Sequence, residues 1–229
     1  MNRDELLDQV YRCAHCDGCG LPFVRSGSGK VYRFPPTIGA VGSVPLLFVG
    51  INPRISASNR DFHNQLVDDF DRYKELSENR IDGGEYIGLD SSERHYALHL
   101  FVARALFPHD SFSSVAAVTE LHFCASPSSA GLPPDSSRCI DRYFSSVLEV
   151  VSPTIVFALG KHVWRTLCYR RELQVKLDVE SSLPLLVELP HPNAFGPKKE
   201  PTGTAIAKAQ EFLRQRVNSP SAGPTSAKQ

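Results

Sequence analysis

The stretch Leu46-Leu47-Phe48-Val49-Gly50-Ile51-Asn52-Pro53 decides the fold. Four consecutive apolar residues ended by a glycine are typical of a short strand that is buried on both faces, as in a parallel sheet. The same reasoning predicts three further strands, at residues 115–123, 154–159 and 185–189. Apolar spacing predicts helices at residues 4–13, 93–106, 135–151, 161–169 and 202–217, and in part of 62–80.

Strands that alternate with helices indicate the fold class. This alternation favours parallel strands with helices on both faces of the sheet. We therefore expect an α/β fold, a three-layer α/β/α sandwich with a central, mainly parallel four-stranded sheet. One domain is expected over residues 1–217, with a long loop within 17–45 and a disordered tail over 218–229.

The composition is that of an ordinary globular protein. The chain has 229 residues, 41% of them hydrophobic and 22% charged, and its formal net charge is zero. Zero net charge argues against avid nonspecific binding to nucleic acid, although it permits a local basic patch. No apolar run is long enough for a membrane span, and the N-terminus is too polar for a secretory signal. We expect a cytoplasmic monomer with no membrane partner.

Four of the six cysteines form two pairs that only a fold can bring together. Cys16 and Cys19 have C-x2-C spacing, and Cys124 and Cys139 lie far downstream. Four thiolates at one place are typical of an iron–sulfur cluster or of tetrahedral zinc. Six cysteines without a secretory signal also favour ligands or core thiols over disulfides.

The other two cysteines leave one alternative open. Cys13 forms a second C-x2-C pair with Cys16, so it is either a spare thiol or a rival ligand. Cys168 lies in a predicted helix and is most simply a core thiol.

Polar motifs follow the predicted strands. Gly50-Ile51-Asn52-Pro53, the segment around Cys124, Gly160-Lys161-His162 and His191-Pro192-Asn193 each come directly after a strand. Ligands of parallel sheets bind beyond the carboxyl ends of the strands. These segments are therefore expected to meet at one edge of the sheet.

The ordered set of motifs resembles the uracil-DNA glycosylase superfamily, most closely its iron–sulfur branch. The resemblance covers roughly residues 10 to 215. The segments similar to the family's motifs are Cys16-Asp17-Gly18-Cys19-Gly20-Leu21, Thr119-Glu120-Leu121-His122-Phe123-Cys124, Cys139-Ile140-Asp141-Arg142-Tyr143-Phe144, Pro153-Thr154-Ile155-Val156-Phe157-Ala158-Leu159-Gly160 and His191-Pro192.

The resemblance implies a DNA glycosylase of base excision repair. Such an enzyme hydrolyses the N-glycosidic bond of uracil or of another deaminated or modified base in DNA. The resemblance also implies a 4Fe–4S cluster with a structural role, held by Cys16, Cys19, Cys124 and Cys139. Zinc is the alternative metal.

The resemblance assigns roles to individual residues. Cleavage leaves positive charge on the sugar and negative charge on the departing base. Asn52 would orient water, His191 would donate to a base carbonyl, and Phe62 would stack on the flipped base. The remaining substrate-site positions are Gly50, Ile51, Pro53, Glu120 and Asn193, and the expected contacts with the DNA backbone are Lys161, Lys198 and Lys199.

The same residues also have ordinary structural interpretations. Asn52 and Pro53 suit a strand-end turn, Phe62 suits a core position, and the lysines suit a solvated surface.

Two departures from the family pattern affect specificity. Gly50-Ile51-Asn52-Pro53 is closer to the first motif of the mismatch-specific branch, and Glu120 stands where the iron–sulfur branch has its base-reading Asn. An amide pairs with both a carbonyl and an N–H of uracil, whereas a carboxylate only accepts unless it is protonated. An ionised Glu120 predicts that uracil is a poor substrate and that a base with an amino group is preferred.

Two other functions fit these departures. Glu120 and the zero net charge suit a catalytically weak or noncatalytic DNA-binding relative. The cysteines also suit a zinc-stabilised module whose strand-end loops bind another ligand.

Overall fold

The structure is a computed structural model that describes residues 1–13, 26, 29–38, 43–51, 64, 67–78, 94–125, 139–169, 184–191 and 199–218. Its strands are β1 (Leu46–Gly50), β2 (Ala116–Glu120), β3 (Ile155–Leu159) and β4 (Leu185–Leu189). Its α-helices are α1 (Arg3–Tyr11), α2 (Phe70–Ser77), α3 (Arg94–Leu106), α4 (Phe112–Val115), α5 (Ser145–Val151), α6 (Lys161–Tyr169) and α7 (Lys199–Asn218).

The four strands form one parallel sheet with the order β2-β1-β3-β4. Gly50 at the end of β1 is in register with Glu120 at the end of β2, and Leu159 is in register with Leu189. The sheet confirms the predicted α/β fold with four central parallel strands.

Side chains alternate between two core layers because successive residues of a strand point to opposite faces. Leu47 and Val49 belong to the layer covered by α1, α5 and α6, whose core residues include Leu6, Val147 and Val163. The opposite layer contains Leu46 and Phe48 and is covered by α3, α4 and α7, with core residues such as Val102, Phe112 and Ala209. Helices on both faces confirm the predicted three layers.

The order in which strands are added to the sheet reverses between β1 and β3. From β1 the chain moves to β2 on one side, and β3 then lies on the other side of β1. In open parallel sheets such a switch point opens a crevice at the carboxyl ends of the two central strands. A crevice is therefore expected beyond Gly50 at the end of β1 and beyond Leu159 at the end of β3.

The predicted second strand has different bounds. Residues 115–123 were expected to be extended, but Val115 ends α4 and β2 covers only Ala116–Glu120. Residues beyond Glu120 still bond to neighbouring chain segments, because Leu121 N–H donates to the Gly50 carbonyl at 2.9 Å. Part of the predicted long loop pairs along the outer side of this segment, with Thr37 opposite Val118 and Arg33 opposite Cys124.

Several helix bounds also differ. The helix predicted at residues 4–13 is Arg3–Tyr11, and in the one predicted at 135–151 a turn of π-helix, Ile140–Phe144, precedes α5. The helix predicted from residue 202 begins at Lys199, since Pro201 lies in the first turn, where no intrahelical N–H is needed. It ends at Asn218, so this residue is helical although it was assigned to the tail, and 219–229 lie outside the described residues. None of the helices in the described ranges combines the length and apolar character that a membrane crossing needs.

Candidate functional site

Glu120 lies directly over Gly50. The two residues are register partners at the carboxyl ends of β2 and β1. A Cβ placed on Gly50 would lie 2.0 Å from Glu120 Oε2 and 2.6 Å from its Cδ. The carboxyl group therefore occupies the space of any side chain at position 50, and only glycine leaves room for it.

The surroundings of Glu120 favour the neutral acid. The residue is half-buried, but its Oε2 is shielded from solvent and has no hydrogen-bond partner among the described residues. Burial raises the pKa of Glu120 from 4.5 to about 8. Glu120 is then mostly protonated at neutral pH, which differs from the ionised carboxylate on which the expected poor activity on uracil depends.

His191, two residues beyond the end of β4, lies close to Gly160, in a contact similar to that of Glu120 with Gly50. A Cβ placed on Gly160 would lie 3.1 Å from the His191 Cβ. Gly160 has a φ of +90°, and its N–H donates to the Leu189 carbonyl at 2.7 Å. This position therefore needs glycine both for its backbone conformation and for its contact with His191.

Burial lowers the pKa of His191 below its ordinary value of 6.5. The neutral imidazole is favoured at neutral pH, and it carries one N–H donor and one acceptor nitrogen. This is the form that the expected role of His191, donation to a base carbonyl, requires.

Glu120 and His191 reach the switch point from opposite edges of the sheet. Glu120 extends from β2 to the end of β1, and the side chain of His191 beyond β4 lies against Gly160 at the end of β3. Adjacent strands lie about 4.8 Å apart, so these two contacts are neighbours along the carboxyl edge. The structure thus places the predicted residues Gly50, Glu120 and His191 along one edge of the sheet, on the two sides of the switch point.

The backbone at the end of β1 is held by the segment after β2. Ile51 is half-buried, and its carbonyl accepts a hydrogen bond from the His122 N–H at 3.0 Å. The Gly50 carbonyl accepts one from Leu121 N–H. These bonds fix the position from which the first motif continues to Asn52.

Lys161 is the first residue of α6 and follows Gly160 directly. Its side chain is exposed, as is that of Arg165 one turn later. The first N–H groups of a helix have no intrahelical partner and favour anions. The predicted phosphate contact at Lys161 thus has a second cation nearby, Arg165, which no sequence motif indicated.

The described cysteines of the predicted metal site are buried. Cys124 is 2% exposed, and Cys139 and Cys13 are each 7% exposed, all within the core layer of α1 and α5. The Tyr143 side chain lies near these cysteines. Its hydroxyl interacts with Cys13, and its ring centroid lies 5.9 Å from that of Phe123, the residue before Cys124 in sequence. Tyr143 follows Cys139 within one turn of π-helix, Ile140–Phe144.

The bonding state of Cys124 differs from the expectation of free or metal-bound thiols. Cys124 is disulfide-bonded. Cys13, Cys139 and Cys168 are not in disulfides. A disulfide and a shared metal both require a second sulfur beside Cys124.

A complete metal site is not visible in the described part of the chain. No group of three or more His, Cys, Asp or Glu residues there is arranged to hold a metal ion. The predicted ligands Cys16 and Cys19 lie outside the described residues.

Other predicted site residues also lie outside the described ranges, namely Asn52, Pro53, Phe62, Asn193 and Lys198. For Lys199 only the backbone is described, as the first residue of α7. Gly160 was expected at this edge of the sheet but was given no role in the site, although a glycine between a predicted strand and a predicted helix is a usable signal for close approach.

No protein-family model matches the chain, and no curated protein matches it.

Proposed function

We propose that this protein is a DNA glycosylase that hydrolyses the N-glycosidic bond of uracil or of another deaminated or modified base. The observation that carries the proposal is the presence of one carboxyl and one imidazole residue on the two sides of the switch point of the sheet, Glu120 against Gly50 and His191 against Gly160. The order of the motifs along the chain supports it further.

His191 would stabilise the leaving group. A neutral imidazole donates its N–H to a carbonyl oxygen of the base, where negative charge develops as the glycosidic bond breaks. Burial favours this neutral form. Donation to the developing anion is stronger than donation to the neutral base, so it lowers the barrier.

Asn52 would orient the attacking water. It follows Ile51, whose carbonyl is held by His122 N–H. An amide is a weak base, so its contribution is positioning, and most of the rate enhancement would come from the leaving group.

The DNA backbone would be held locally. Lys161 and Arg165 present two cations on the exposed side of α6, and Lys198 and Lys199 follow the His191 loop in sequence. Such contacts fix the position of the DNA, while contacts with the flipped base select it. A local patch suits a chain whose net charge is zero.

We also propose a 4Fe–4S cluster held by Cys16, Cys19, Cys124 and Cys139, with Cys13 as a rival ligand and zinc as the alternative. Cys124 and Cys139 are buried in one core layer, and Cys124 would become a thiolate ligand after reduction of its disulfide. The group would supply a structural tie between the N-terminal segment and the π-turn after Cys139, and the proposed hydrolysis needs no redox step.

The proposal is tested with a panel of single- and double-stranded oligonucleotides that each carry one uracil, hypoxanthine, xanthine or mismatched base, scored for abasic-site formation. We expect release of at least one base under single-turnover conditions. No release from any substrate by metal-loaded protein would reject the proposed function. The cytoplasmic location and the monomeric state stay predictions.

A further inference from the structure

We propose that Glu120 selects the base in this site, and that it reads the ring N–H and the neighbouring carbonyl of a lactam edge as a neutral carboxylic acid. The inference rests on the proposed glycosylase function and extends it to the substrate class. It reverses the expectation, made for an ionised Glu120, that uracil is a poor substrate.

The position of the carboxyl group is the first step. Glu120 lies at the end of β2 and covers Gly50 at the end of β1, which borders the switch-point crevice. Its Oε2 is shielded from solvent and has no hydrogen-bond partner among the described residues. A polar atom removed from water without a partner is costly, and a bound ligand that supplies the partner removes that cost.

Among the residues that the structure describes, the groups around Glu120 do not offer it a positive charge. Gly50 in β1 has no side chain, and Arg33, in the segment along the outer side of β2, turns its guanidinium towards the Tyr11 carbonyl at 3.5 Å. In α3, the His99 ring packs on Phe48 at 4.8 Å. His122, just beyond β2, is buried.

Burial is the cause of the raised Glu120 pKa, and among the described residues no charged group adds to it. The neutral acid is therefore the main form up to about pH 8.

The chemistry of the two protonation states differs at a lactam. A neutral carboxylic acid has an O–H donor beside a carbonyl acceptor, so it pairs with the C=O and N–H of uracil or hypoxanthine as a carboxamide does. The ionised group only accepts, and it would face the base carbonyl with negative charge. Recognition of a lactam base should therefore disappear as Glu120 ionises.

Glu120→Gln separates this inference from other causes of pH dependence. Glutamine has nearly the shape of glutamic acid and keeps a donor and an acceptor at every pH. Glu188→Gln is the matched control, because Glu188 is exposed in β4. Both variants are compared with wild type at equal metal content and after their melting temperatures have been checked.

The experiment is single-turnover release of uracil from one oligonucleotide between about pH 6 and pH 9, below the pH at which the ring N–H of uracil itself ionises. For wild type and Glu188→Gln we expect the rate to fall about tenfold per pH unit above the Glu120 pKa, which lies at about 8. For Glu120→Gln we expect no such fall. An alkaline fall shared by all three proteins, or absent from wild type, would overturn the inference while the glycosylase function stands.

A second measurement does not depend on activity. The side-chain carboxyl carbon of Glu120, assigned in NMR spectra by its absence from Glu120→Gln, is titrated in the DNA-free protein. A midpoint near the ordinary value of 4.5 would overturn the inference, and one near 8 is expected. Failure to release any base at any pH would overturn the proposed function and this extension together.

Discussion

The Glu120 carboxyl occupies the space that a side chain at position 50 would need: a Cβ on Gly50 would lie 2.0 Å from Glu120 Oε2. The two residues are register partners on neighbouring strands, so the contact follows from the sheet itself. A glycine at the end of β1 and an acidic residue at the end of β2 therefore form a single structural unit.

Gly50→Ala tests this unit. The new methyl group would displace the end of a flexible side chain, so the free energy of unfolding should change little while the carboxyl moves away from the crevice. We expect at least a tenfold loss in the single-turnover rate of base release. Gly203→Ala in α7 is the control, since a Cβ there meets no atom within 4 Å. Unchanged base release by Gly50→Ala would show that the position of Glu120 does not matter for catalysis.

Gly160→Ala should behave differently. Gly160 has a φ of +90°, and its new Cβ would press on the His191 Cβ at 3.1 Å. Left-handed backbone costs an L-residue roughly 1–2 kcal/mol, so we expect a loss of stability of about that size in denaturant unfolding. Activity should fall as well because His191 is displaced. Wild-type stability for this variant would contradict the described contact.

Stability should depend on pH through Glu120. Its pKa is raised from 4.5 to about 8, so between these values the folded state binds the proton more tightly than the unfolded state. The free energy of unfolding therefore falls as pH rises through this window. Glu120→Gln lacks this loss, so its melting temperature should rise relative to that of wild type as the pH increases from about 5 to about 8.

His191 contributes with the opposite sign, because its lowered pKa removes stability as pH falls below 6.5. Both proteins share this contribution, so it cancels in the comparison. A constant difference in melting temperature across the range would contradict the buried, neutral Glu120.

The cysteines predict a coloured protein. A cubane cluster gives a brown protein with about four iron and four sulfide per chain. Cys124→Ser and Cys139→Ser should lower iron content and soluble yield, whereas Cys168→Ser should change neither. Stoichiometric zinc in colourless protein purified without oxygen would contradict the cluster.

Cys13→Ser distinguishes the two possible ligand sets. Cys13 is buried and interacts with Tyr143, close in sequence to Cys139. Iron at the wild-type level in this variant supports the ligands Cys16, Cys19, Cys124 and Cys139. A loss like that of Cys139→Ser supports Cys13 as a ligand.

Sequence patterns predicted the elements that local periodicity determines. The bounds of α6 and β4 agree with the prediction because each is a short apolar pattern between polar residues. The start of the second strand was wrong because Val115 is apolar in either conformation and packs in α4. The tail was predicted to begin at residue 218, but Asn218 is the last residue of α7. Helix ends carry only weak composition signals.

The site could be predicted only in part. Parallel topology was enough to expect Gly50, Glu120 and His191 at one edge. The protonation state of Glu120 depends on burial by residues distant in sequence, which no motif reports. The contact of Gly160 with His191 likewise depends on how β3 and β4 pair, and this became visible only in the assembled sheet.

Replacement of His191 tests the central claim most directly. The measurement is the single-turnover rate of base release by His191→Ala, with Asn52→Ala for comparison and His109→Ala as the control, since His109 is exposed on the loop between α3 and α4. We predict a loss of roughly 100-fold for His191→Ala, because single donors to a developing anion have effects of that order. The loss for Asn52→Ala should be smaller, and His109→Ala should match wild type. A folded His191→Ala protein with the full wild-type rate would contradict the account.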